Sequence, residues 1–182
     1  MEDVYKSFGD NDVLKGVSLE VPKNKITVII GGSGSGKSVM MKHLLGLMQP
    51  DKGRVEVLGQ DLAKLSEKEL RVLRTRIGML FQHAALFDSM PVAENVAFPL
   101  VERGEVSRKE AKKKTDELLE KLQLEEMRDR FPSEISSGQQ KRVSLARALI
   151  SEPELIIYDE PTTGQDPILS KYVEDMVVET QE

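Results

Sequence analysis

Residues 31–38 read Gly31-Gly32-Ser33-Gly34-Ser35-Gly36-Lys37-Ser38, which satisfies the pattern G-x-x-x-x-G-K-[ST]. The β-branched run at residues 26–30 precedes it and an apolar stretch at 39–48 follows, so the pattern sits where a buried strand turns into a helix. Glycines let successive N–H groups turn inward around phosphate oxygens, and the start of a helix adds its partial positive charge. Lys37 has the length to reach the β- and γ-phosphates of a nucleotide, and the Ser38 hydroxyl is a ligand for magnesium. The strand and helix on either side argue against a glycine-rich turn that binds nothing.

Outward from this loop, residues 13–21 alternate loosely and end at Pro22, which reads as a strand. The turn Pro50-Asp51-Lys52-Gly53 leads into a period-2 strand at 54–58, closed by Gly59. Ser66 with Glu69 and Ser107 with Glu110 are capping boxes, the second opening a helix through about Leu122. Residues 84–150 read as helical, and Leu155-Ile156-Ile157-Tyr158 is a fully apolar strand. Strand, glycine loop, helix and, much later, a buried strand ending in acids is the order of an α/β protein with a parallel sheet. Its ligands bind at the C-terminal ends of the strands.

Composition narrows the function. Acidic residues outnumber basic ones by 31 to 26, giving a net charge of -5 and arguing against nucleic acid as the main ligand. There is no cysteine, which excludes disulfide frameworks, thiolate metal sites and cysteine nucleophiles and fits a cytoplasmic setting. No stretch approaches the ~20 apolar residues that span a bilayer, and the N-terminus has no apolar core of a secretory signal. The lysines at 109 and 112–114 are interleaved with Glu110, Asp116, Glu117 and Glu120, so they read as a solvated helix face rather than a lipid-binding patch.

Two further signals carry chemistry. Asp159 and Glu160 follow the last strand, and after a phosphate loop two carboxylates divide the labour: Asp159 holds magnesium through water, while Glu160 orients the attacking water. Alone, such acids would only begin a solvated loop. The segment Ile135-Ser136-Ser137-Gly138-Gln139 opens a helix whose Val143, Ala146, Leu149 and Ile150 share one face. Alone, its serines are a bare N-cap.

With these three signals in this order the sequence resembles the ATP-binding cassette family, along essentially the whole chain. P-loop NTPases in general share only the first two. The family signature L-S-G-G-Q is matched by Ile135-Ser136-Ser137-Gly138-Gln139 in four of five positions, with Ile allowed for Leu. The resemblance implies an α/β fold: a P-loop NTPase parallel-sheet core, a small antiparallel β subdomain and a helical insertion at about 84–150, incomplete at the C-terminus. It implies ATP and Mg2+ as ligands, with ATP hydrolysed. It also implies a head-to-tail pair of subunits in which one signature caps the γ-phosphate of ATP held by the other's loop. Phe8 matches the aromatic that stacks on adenine, although a lone Phe near a strand is otherwise a core residue. Gln82 matches the glutamine that touches magnesium and links to a transmembrane permease. Asp166 matches the aspartate that crosses the dimer interface, and before Pro167 it is equally a helix N-cap.

Three departures modify the expectation. Ser137 replaces a glycine, so its Cβ would crowd the phosphate or strain the backbone by ~1 kcal/mol if φ is positive there. Val39 stands where related loops often carry threonine. The family's γ-phosphate histidine, expected beyond the acidic strand, has no counterpart, because His43 and His83 both lie upstream. The chain therefore reads as a fragment of a longer one; as a whole polypeptide it would bind ATP and hydrolyse it very poorly.

More narrowly, IGMLFQHAALFDSMPVAENVAFPLVE at 77–102 and LIIYDEPTTGQDPI at 155–168 resemble the ATPases of Mla- or Mce-type phospholipid transport systems. That resemblance implies a cytoplasmic subunit, peripheral on the inner (plasma) membrane. Phe81, Leu86, Phe87, Met90 and Phe98 are too apolar for a solvated loop. Either they glue the helical insertion to the core or they line a groove for a permease helix. A soluble cassette protein acting without a permease is the competing reading; it predicts tandem cassettes, coiled-coil arms or basic patches, none of which is visible.

Overall fold

A computed structural model describes residues 1–81, 84–104 and 106–159, with an α/β architecture of antiparallel and parallel sheets. The chain divides into two compact units, the first formed by Met1–Arg74 and the second beginning at Thr75.

In the first unit, Glu2–Phe8 (β1), Asn11–Val17 (β2) and Lys52–Arg54 (β3) form an antiparallel sheet in the order β2-β1-β3. Val4 and Leu14 are its buried side chains, each contributing about 1.5–3 kcal/mol of apolar burial. β2 stops at Val17, short of the expected Val21: Val17 pairs with Val4, but the next N–H of β1, that of Asp3, donates to the Ser18 hydroxyl at 3.0 Å instead of to a ladder carbonyl, and Leu19 meets the chain terminus, its N–H donating to Met1 O and its carbonyl accepting from the Met1 ammonium. The expected strand at 54–58 is split at Val55. Glu56–Val57 (β4) and Gln60–Asp61 (β5) form their own hairpin, closed by Leu58 and Gly59 at φ 50° and 76°.

The loop at 31–38 opens Lys37–Leu44 (α1). The expected helix to Met48 ends early because Gly46, at φ 63°, takes a left-handed conformation. Its N–H donates to His43 O and the Leu47 N–H to Lys42 O, a Schellman cap that satisfies the last carbonyls. Glu67–Thr75 (α2) follows the Ser66–Glu69 capping box, whose reciprocal bonds are present. Arg74 then donates to the carbonyls of Leu45 and Gly46, fastening α2 to the end of α1.

Residues 26–30 read as a strand buried on both faces, yet they have no ladder partner among the described residues, with Val28 74% and Ile30 92% exposed. A β-branched run forms a strand only where a neighbour takes up its N–H and C=O groups. The three-stranded sheet of the first unit does not do so.

In the second unit, Ile77–Leu80 (β6) and Leu155–Tyr158 (β7) pair in parallel, Ile77 against Leu155 and Leu80 against Tyr158. A parallel pair requires a long crossover. It is supplied by Val92–Arg103 (α3), Arg108–Lys121 (α4) and Ser137–Leu149 (α5), into which the expected helical segment resolves. Leu80, Val96, Leu119, Val143, Leu145 and Ala146 are at the centre of their shared core. α4 starts at the predicted Ser107–Glu110 box and stops at Leu122. α3 lacks a side-chain cap; its first N–H groups donate instead to Arg130 O and Arg128 O. No described helix is long and apolar enough to cross a membrane.

Candidate nucleotide-binding site

The glycine loop is shaped by two left-handed residues, Gly34 at φ 75° and Gly36 at φ 95°. Around Gly32 and Gly34 a Cβ would meet nothing within 4 Å, which leaves room for phosphate oxygens beside the backbone. Lys37 turns back across the loop, its Nζ donating to Gly31 O at 2.8 Å and Gly32 O at 3.1 Å. The ammonium thus stands at the mouth of the loop, on the side where the backbone curves round. α1 has no side-chain cap and no acid in its first turn, so its dipole charge is not cancelled from within that turn. Ser38 is exposed in the same turn; Ser33 and Ser35 are exposed in the loop. Below them Met40, Met41 and His43 are buried. His43 Nδ1 lies 2.7 Å from Val39 O, and its Nε2 has no hydrogen-bond partner among the described residues.

β2 abuts the end of the loop, since a Cβ on Gly36 would lie 3.0 Å from Leu14 Cδ2 and 3.2 Å from Val13 Cγ1. Phe8 pairs with Asn11, two residues or roughly 7 Å along the strand from Val13. The aromatic is therefore carried within a nucleotide's length of the loop, and it is 47% exposed rather than a core residue.

In the second unit Asp159 follows β7, its N–H donating to Leu80 O at 2.9 Å. The parallel pairing brings the C-terminal ends of β6 and β7 to one edge, with Asp159 half-buried there. Gln82, Glu160 and Asp166 lie outside the described residues, as does His83.

The signature segment is a complete capping box. Ser136 Oγ accepts from Gln139 N at 3.3 Å and Gln139 Oε1 accepts from Ser136 N at 2.8 Å. The Ser136 hydroxyl proton remains able to donate outward. Ile135 and Gly138 are buried while Ser137, the first residue of α5, is exposed. Ser137 is not among the positive-φ residues, so the strain considered for it does not arise: with Ser136 as N-cap, its backbone is already helical.

The apolar side chains after β6 have two kinds of surroundings. Leu86 packs on the helical core, whereas Phe81 and Phe87, 44% and 39% exposed, line a cleft of about 330 Å³ with Met79, Phe98, Arg103 and Arg147. The Phe87 and Phe98 rings are 4.6 Å apart. Arg147 donates to Ala84 O at 3.0 Å and stands 5.7 Å from the Phe87 ring, and burial pulls its pKa below the ordinary value. The sequence reading missed Asn95, fully buried on α3. Its Oδ1 accepts from Phe87 N and its Nδ2 donates to the carbonyls of Phe87, Met90 and Pro91, so one side chain organises the whole turn before the helix. A polar residue among apolar α3 neighbours was the available signal.

The Ser38 hydroxyl in the first unit and the Asp159 carboxylate in the second are each hard oxygen donors of the kind magnesium takes.

Residues 14–163 match the family described as ABC transporter. The chain is 46% identical over 183 residues to Protein TRIGALACTOSYLDIACYLGLYCEROL 3, chloroplastic, of Arabidopsis thaliana, covering 96% of this chain and 52% of that protein. It is 41% identical to the probable ribonucleotide transport ATP-binding protein mkl of Mycobacterium leprae, covering 98% of this chain and 52% of that one. The chain thus spans about half the length of these curated relatives. Among solved structures it resembles the dimeric ATP-binding cassette MJ0796 in a post-hydrolysis state bound to ADP and Pi. That match has a TM-score of 0.88 and 32% identity, and covers 100% of this chain and 82% of that one.

Proposed function

This chain belongs to the ABC transporter family, and from that premise we propose that it is the ATP-binding, ATP-hydrolysing part of a subunit that powers a membrane permease. The observation that carries this reading is the Lys37 ammonium poised over the mouth of the glycine loop at the start of α1. Lys37 and the amides of Gly31, Gly32, Ser33, Gly34, Ser35 and Gly36 grip the β- and γ-phosphates. Phe8 stacks on adenine. Ser38, Gln82 and Asp159 hold magnesium, which when bound neutralises charge on the transferred phosphoryl group. Glu160 orients and polarises the attacking water.

Ser136, Ser137, Gly138 and Gln139 cap the γ-phosphate held by a second, head-to-tail subunit, with Asp166 at that interface. The similar structure of a dimeric cassette holding ADP and Pi supports this arrangement. The helical subdomain comprises about residues 84–150, and a permease helix docks in the cleft beside Phe81 and Phe87. The subunit works at the cytoplasmic face of the inner membrane.

For the cargo we favour a phospholipid or related glycerolipid. The support is 46% identity to a relative named for trigalactosyldiacylglycerol, a glycerolipid, beside the Mla- and Mce-like segments. The relative named for ribonucleotide transport favours a second, nucleotide cargo. Purification of the full-length protein from membranes, with identification of its bound subunits and lipid, tests both. A permease with co-purifying glycerolipid is expected; a purely soluble complex would contradict the transporter reading.

A further inference from the structure

Asp51 lies just before β3 and reaches back to β1. Its Oδ1 accepts from Lys6 Nζ at 2.7 Å, its Oδ2 accepts from the Ser7 N–H at 2.7 Å, and its own N–H donates to Tyr5 O at 2.9 Å. Three successive residues of β1 are thereby tied to one aspartate. The bonds from Lys6 and Ser7 hold the Asp51 carboxyl below the usual carboxylate range. At the same time the Lys6 ammonium stands 5.8 Å from the centre of the Phe8 ring. Residues 6 and 8 alternate onto one side of β1, so the Lys6 ammonium serves both the carboxylate and the ring. Beyond Phe8 the chain turns at Gly9, φ 60°, and Phe8 is paired only with Asn11 across the hairpin. The position of the ring therefore depends on what holds Lys6 and Ser7.

We propose that Asp51 is a positioning residue for the nucleobase. By clamping Lys6 and Ser7 it fixes the end of β1 and holds a cation against Phe8, which leaves ring surface on which a purine stacks. This rests on the reading of Phe8 as the base-stacking residue. Asp51 itself touches neither base nor phosphate; it acts through Lys6 and Phe8.

The test uses two ligands that differ by the base: Mg·ATP and magnesium tripolyphosphate, titrated into the full-length protein and its variants. Asp51→Ala weakens ATP binding roughly 3- to 10-fold, the size of one charge-assisted or cation–π contact, and leaves tripolyphosphate within about two-fold. Asp51→Asn, which keeps an acceptor for Ser7 but loses the charge facing Lys6, falls between. Lys6→Met reproduces most of the ATP loss and keeps the proposal open to refutation should Asp51→Ala fail to fold. Equal weakening of both ligands, or unchanged ATP binding in the folded variants, would overturn the clamp. If the unaltered protein bound neither ligand, the nucleotide reading itself would fall.

Discussion

Replacing Gly36 by alanine tests the geometry of the loop most sharply, because Gly34 provides an internal control. Both glycines have positive φ, 95° and 75°, so either substitution costs about 1–2 kcal/mol for forcing a Cβ into the left-handed region. They differ in surroundings. At Gly34 the added methyl meets open space, whereas at Gly36 it meets Leu14 Cδ2 at 3.0 Å, Val13 Cγ1 at 3.2 Å and the Val13 carbonyl oxygen at 3.3 Å. The side chains can yield by a few tenths of an ångström, but the carbonyl belongs to β2 and moves only with the strand. That adds roughly 1–2 kcal/mol of overpacking, so Gly36→Ala costs about 2–4 kcal/mol in all. Gly32→Ala, with neither positive φ nor neighbours, is close to neutral. Urea unfolding of the full-length protein measures the series, and the difference between Gly36→Ala and Gly34→Ala isolates the contact with β2. Equal destabilisation by these two substitutions would refute the packing of β2 on the loop.

Asn95→Ala removes the acceptor for Phe87 N and the donor for three carbonyls in a fully buried site, and lowers stability by roughly 2–4 kcal/mol in denaturant titrations. A loss no larger than that of an exposed α3 substitution such as Glu94→Ala would contradict its role as organiser of the turn. The Glu110 carboxyl is held below its ordinary value of 4.5 by bonds from the Ser107 hydroxyl and N–H. Its contribution is therefore complete above that pH and is lost as the pH falls through the lower folded value. Protection of the first-turn amides of α4, referred to the intrinsic exchange rate at each pH, should fall below about pH 4.5, and Glu110→Gln should flatten this step; an unchanged profile in the variant would exclude Glu110 as its source.

The sequence is most legible where a local rule acts alone. The Ser66–Glu69 and Ser107–Glu110 boxes are side-chain to backbone exchanges within four residues, so the starts of α2 and α4 are readable without tertiary context. β1 is not readable in this way. Only Val4 is buried in it, and the strand exists because β2, β3 and Asp51 take up its polar groups. The converse holds at 26–30, where an apolar run without a pairing neighbour stays unpaired among the described residues. At the candidate site the loop, the acidic strand end and the signature are each visible as short motifs. Asn95, Arg147 and Asp51 are not, because their roles lie in contacts with distant backbone or rings.

Lys37 and the loop amides are the proposed grip on a nucleotide's phosphates. Equilibrium binding of Mg·ATP to the full-length protein, compared with Lys37→Ala and Glu160→Gln, measures this directly. Lys37→Ala should lose about 100-fold in affinity, corresponding to roughly 3 kcal/mol of charge-assisted contact, while Glu160→Gln keeps its affinity and stops turnover. Affinity within about two-fold of the unaltered protein in Lys37→Ala would contradict the assignment.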